Sequence, residues 1–192
     1  MGKRILLAGV LGGIAMFLWG GLAHNVLSLG TTGIQSLPQP QPVMDALKAS
    51  APQSGFYYFP QADASGRVAP EKAGGPAGIV IYQATGAGKP LTGQLINEGI
   101  LNIVLALFGA FLLSLATGLT SYVARVGFVT LLGLTVALMS NVESWNWYGY
   151  PLNYTAATIV ENVIGFLIVG LIAAALVKPA AQKIMAVPAK AA

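Results

Sequence analysis

Few residues in this chain can do chemistry. Its 192 residues include six acids, one histidine and no cysteine. Without a thiol there is no disulfide and no thiolate nucleophile. A single imidazole leaves little for a metal or haem site, since most such sites recruit several imidazoles or thiolates. Asp45, Asp63 and Glu71 stand in polar sequence. Glu98, Glu143 and Glu161 stand within or at the edge of long apolar runs. A carboxylate facing lipid there costs about 3 kcal/mol.

Spacing groups the polar residues. Gln94, Glu98 and Asn102 recur at i, i+4 and i+8 and so share one helix face. Thr158, Glu161, Asn162 and Gly165 make a second polar, small face; Ser140, Asn141 and Glu143 make a third group, and His24 with Asn25 a fourth. The threading derived below brings all four groups to one level of a helical bundle, where pointing inward is the cheapest arrangement. Two chemistries fit. In one, these groups are interhelical hydrogen-bonding glue and helix-end caps. In the other, His24, Gln94, Glu98, Asn102, Asn141, Glu143, Glu161 and Asn162 line a small cavity for a ligand, an ion or a proton. Carboxylates with one imidazole suit a divalent cation only loosely, and a lone His24 near a helix end is a poor tetrapyrrole ligand. We therefore expect neither a metal nor a cofactor.

Several chemistries have no motif here. There is no G-x-x-x-x-G-K-[ST], no H-E-x-x-H, no G-x-S-x-G and no Cys/His cluster. Gly86, Gly88 and Lys89 share only composition with a phosphate loop, because the spacing fails. No nucleophile and base can be paired, so an enzyme is the least favoured reading.

The elements that must position these groups are membrane spans. The chain is 55% hydrophobic and 8% charged, with mean hydropathy +0.70. A water-soluble domain carries about a quarter charged residues, so lipid must solvate much of this one. The net charge of +4 reports topology and gives no reason to expect nucleic acid. Lys3 and Arg4 precede an apolar run that continues to Leu29, long enough to span; we expect it to be retained as the first transmembrane helix (1–29) rather than cleaved as a signal peptide. Gly9 and Gly13 in it form a G-x-x-x-G pair, which permits close backbone approach. Residues 95–119, 126–139 and 155–177 are the cores of three further spans. Ser121 to Arg125 reads as a short turn carrying a positive charge. Asn141 to Tyr154 reads as an aromatic turn, with Trp145, Trp147, Tyr148, Tyr150 and Tyr154 as anchors at the membrane–water interface.

Between the first two spans, residues 30–93 are rich in Pro, Gly, Ser and Gln. A short amphipathic helix over 42–49 and strands over 55–60 and 78–83 predict a small α+β insertion, with 62–77 its most mobile stretch. Such a unit is marginal alone, so it should rest on its own helices, with the aromatic turn as a floor, or on a partner. Lys3, Arg4, Arg125, Lys178, Lys183 and Lys190 then fall on the cytoplasmic side with both termini and the basic tail 178–192, and the 30–93 segment falls outside.

The strings Phe17-Leu-Trp-Gly-Gly-Leu-Ala-His24, Gly55-Phe-Tyr-Tyr-Phe-Pro60, Trp145-Asn-Trp-Tyr-Gly-Tyr-Pro151, Tyr154-Thr155 and Ile164-Gly-Phe-Leu167 resemble a group of small bacterial inner-membrane proteins with one N-terminal span, an extracytoplasmic segment and three further spans. The resemblance implies bacterial origin and topology; it brings no activity and no site residues. The sequence therefore favours a mainly α, four-span accessory or structural protein that associates with other membrane subunits or with itself, the glycine-rich spans (Gly9, Gly13 and Gly165) supplying contacts. A small transporter or ligand-binding protein is the second reading, and a membrane enzyme the third.

Overall fold

A computed structural model describes residues 2–59, 75–86 and 90–178. It is mainly helical, with a two-stranded ribbon. Four helices are long and apolar enough to cross a membrane: α1 (Gly2–Asn25), α3 (Leu91–Leu115), α4 (Tyr122–Tyr148) and α5 (Leu152–Leu176). Between α1 and α3 lie a single 3-10 turn (Leu29–Thr31), the short α2 (Pro40–Ser50), β1 (Gly55–Phe59) and β2 (Gly78–Tyr82). The expected mobile stretch, apart from residues 75–77, and the basic tail beyond Lys178 lie outside the described residues, as do Gly88 and Lys89.

Local chemistry sets the helix ends. Pro90 and Pro151 precede α3 and α5, where a missing N–H leaves no bond unmade. Ser121 caps α4 by accepting from the Ala124 N–H at 3.1 Å. Gly149 ends α4 with φ +69°, the left-handed conformation a glycine adopts without strain. The aromatic stretch is therefore not one turn. The helix runs on to Tyr148, and only Gly149–Pro151 connect α4 to α5. Ser140 and Ser144 satisfy their hydroxyls within this helix by donating back to the carbonyls of Val136 and Ser140.

The helix that organises the bundle is α5, which packs against α1, α3 and α4. Its buried face reads Thr155, Ala157, Gly165, Phe166, Val169, Gly170, Ala173 and Ala174. Small residues let neighbours sit close. Met16 fills the space over Gly165, Val126 and Val129 lie against Gly170, and Phe166 lies against Gly133. On the other side α1 packs on α3, where Gly13 faces the Ile103 backbone and Gly9 faces Leu107. The G-x-x-x-G pair thus packs against a helix of its own chain. By contrast α4 packs chiefly on α5 and only slightly on α3.

Arg125 departs furthest from expectation. It lies in the first turns of α4, not in a connecting turn, and is 2% exposed. Its guanidinium donates to the carbonyls of Val177, at the end of α5, and of Leu119. A cation at a helix C-terminus meets the negative end of the dipole and the unpaired carbonyls there. Nε has no partner among the described residues.

β1 and β2 pair antiparallel, with Tyr57 opposite Val80. Phe56 and Tyr58 share one face and meet Tyr148 edge-on or tilted, with ring centroids 6.3 and 6.4 Å away. The ribbon therefore rests on the end of α4.

Candidate functional site

Antiparallel packing brings the last turn of α1 beside the first turns of α3 and the N-terminal half of α5. An open cavity of about 460 Å³ lies among them. His24 and Asn25 reach it from α1, Gln94, Glu98 and Asn102 from α3, and Glu161 from α5; Phe17, Leu91 and Leu95 supply apolar wall. At 1.5 Å per residue, Glu98 lies about 10 Å below the start of α3 and Asn102 about 16 Å below it. The site thus grades from the bundle end toward the middle of the span.

Each polar group has a distinct environment. His24 Nδ1 lies 3.2 Å from Glu161 Oε1 and 3.1 Å from the Gly20 carbonyl oxygen. Facing two acceptors, Nδ1 is placed to donate a proton to them when Glu161 is ionised. The side chain of Glu161 is 17% exposed. Its backbone carbonyl accepts from the Trp19 indole at 3.0 Å, which ties α1 to α5 beside the site. Glu98 is exposed to the cavity and has no cationic partner among the described residues. Asn102 is 5% exposed, lines the cavity and has no hydrogen-bond partner among the described residues.

His24 and Glu161 also border a second, smaller cavity of about 150 Å³, with Tyr154, Thr158 and Asn162. Residues 28–33 fold back over it. Gly30 touches the His24 ring, and Gly33, at φ +80°, lies against Asn153 and Tyr154. A side chain at either glycine would displace this cover. Asn162 donates to the Thr158 carbonyl at 2.8 Å, so its amide is satisfied within α5.

Two expected members are elsewhere. Asn141 donates to the Ala137 carbonyl within α4 at 2.9 Å, and Glu143 lies exposed on that helix; neither lines the cavity. The physical reason is that α4 is screened from α1 by α5, so three helices and not four build the site. The aromatic anchors divide as well. Trp147 is 74% exposed and Trp145 45%. Tyr148 meets the ribbon, while Tyr150 and Tyr154 pack edge to face at 5.6 Å.

Trp19, Phe17 and the cover segment 28–33 were not singled out as site residues from sequence. The signal at Trp19 is an indole within an apolar run, which needs an acceptor when buried. Comparison of the chain with protein-family models, with characterised proteins and with solved structures found no match. The geometry alone must therefore indicate the function.

Proposed function

We propose that this chain is a multi-pass protein of the bacterial inner membrane that binds a small solute in the cavity among α1, α3 and α5. Both termini are cytoplasmic, the 30–93 segment is extracytoplasmic, and the cavity opens in the outer leaflet. Four apolar helices support membrane insertion. The basic residues flanking the ends opposite the site support the orientation. One observation carries the binding reading: three helices converge six polar side chains, His24, Asn25, Gln94, Glu98, Asn102 and Glu161, on one cavity at ligand scale. Hydrogen-bonding glue alone would leave these groups paired with one another. Here Glu98 and Asn102 line the cavity with no such partner among the described residues.

Association with other membrane chains is the second reading, and it too has an observation in its favour. α4 is held mainly by α5, and its outer face exposes Val136, Leu138 and Met139. It stands second because Gly9 and Gly13, two of the small residues expected to serve contacts between chains, pack within the chain. Gentle detergent extraction from native membrane, followed by mass spectrometry of everything that co-purifies, separates the two. A small molecule retained by the wild type and lost in Glu98→Gln and Glu161→Gln, with the fold intact, supports binding. A stoichiometric co-purifying chain, unaffected by those changes, supports association instead.

A further inference from the structure

The charge, shape and unmet hydrogen bonds of the cavity specify the chemistry of its occupant. Two carboxylates face one volume, and among the described residues the only basic side chain at it is His24, which lies 3.2 Å from Glu161. Among the described residues no lysine or arginine lines it. Glu98 therefore has no cationic partner among the described residues, which favours a cation over an anion or a neutral solute. Asn102 adds an independent observation. It is 5% exposed and has no hydrogen-bond partner among the described residues, so its amide is free to bond an occupant of the cavity it lines. It sits one turn deeper than Glu98 on the same face of α3, so one bound group can meet both.

A bare inorganic cation fits poorly. Among the described residues no three His, Cys, Asp or Glu side chains come together to hold a metal, and about 460 Å³ is far more space than an ion needs. Phe17 and Leu95 provide apolar wall beside the carboxylates. We infer that the occupant is a small organic cation, a positively charged nitrogen group with N–H donors on an apolar body, its charge on Glu98 and its donors shared with Asn102. This inference rests on the binding reading given above.

Benzamidinium and benzamide are a suitable probe pair, nearly identical in shape and differing in charge. Full-length protein in lipid nanodiscs is titrated with each by calorimetry. In parallel, Glu98 is modified with a water-soluble carbodiimide and an aqueous amine, with and without each probe. The inference predicts saturable benzamidinium binding, at least about tenfold tighter than benzamide, as expected for a charge-assisted hydrogen bond. It also predicts protection of Glu98 by benzamidinium alone, loss of benzamidinium binding in Glu98→Gln, and loss of both effects in Asn102→Leu. Glu143→Gln, remote from the cavity, should leave binding unchanged. Equal binding of benzamide, equal protection by sodium chloride, or protection by neither probe while Glu98 is labelled would overturn the organic-cation inference and leave an accessible site standing. Failure of Glu98 to label at all would overturn the binding reading itself. The wild-type probe comparison needs no variant to fold.

Discussion

Replacing Gly13 with alanine puts a methyl group into the closest approach of α1 and α3. A Cβ at Gly13 would meet the Ile103 Cα and lie 2.7 Å from the Ile103 backbone nitrogen. Backbone atoms cannot rotate away. The helices must separate locally from 2.7 Å to the 3.4 Å or more of an ordinary contact. Overpacking of this kind costs about 1–3 kcal/mol. Gly12 lies one residue away and provides the control, because its Cβ would meet Ala106 and Val169 at 3.4 and 3.5 Å. Gly12→Ala should therefore be close to neutral. Gly13→Ala should lower unfolding stability by about 1–3 kcal/mol, read from reversible denaturation in mixed micelles. Because His24 and Glu98 stand further along these two helices, the same change should also widen the cavity. Equal stability of the two variants would refute the packing described here. If Gly13→Ala lowered only the oligomeric mass, the glycine pair would belong to an interface between chains, and the association reading would regain first place.

Other consequences follow from single contacts. Arg125→Leu should destabilise the chain by about 1–3 kcal/mol, because the Val177 and Leu119 carbonyls lose their donor, and Arg125→Lys should recover only part of this, since an ammonium lacks the guanidinium fork; thermal unfolding in detergent reads both. Tyr148→Ala should speed amide hydrogen exchange in β1 and β2 by about fivefold, the loss of roughly 1 kcal/mol of ring contacts, whereas Trp147→Ala should change it little. The chain has one histidine, so its imidazole ¹⁵N spectrum needs no assignment. At a pH where the ring is neutral the proton should sit on Nδ1, and a spectrum showing the Nε2–H form would contradict the His24–Glu161 geometry.

Periodicity and composition made four apolar helices and a two-stranded ribbon legible, because both signals are local. The Gln94–Glu98–Asn102 face was legible for the same reason. Which helices face one another was not. Asn141 and Glu143 have the same polar character as Asn102 and Glu98, but α5 stands between their helix and α1, and no spacing rule encodes that. Arg125 shows a local rule overlooked. Ser121 is a good N-cap, and placing the helix start there moves Arg125 from a turn into the first turns of α4. Gly149 and Pro151 likewise mark a C-cap and a helix start, which shortens the aromatic turn to three residues. The G-x-x-x-G pair signals close approach without naming the partner, so sequence alone could not choose between α3 and another chain.

The account stands or falls on whether the cavity is open to solutes. Sealed right-side-out vesicles treated with a water-soluble carbodiimide and an aqueous amine test this directly, with mass spectrometry locating the modified carboxylates. The account predicts modification of Glu98 from the extracytoplasmic side, with more limited modification of Glu161, whose side chain is 17% exposed and in contact with His24. Modification of Glu98 only by a membrane-soluble carbodiimide, and never from water, would show that it faces lipid or buried protein and that no solute site exists there.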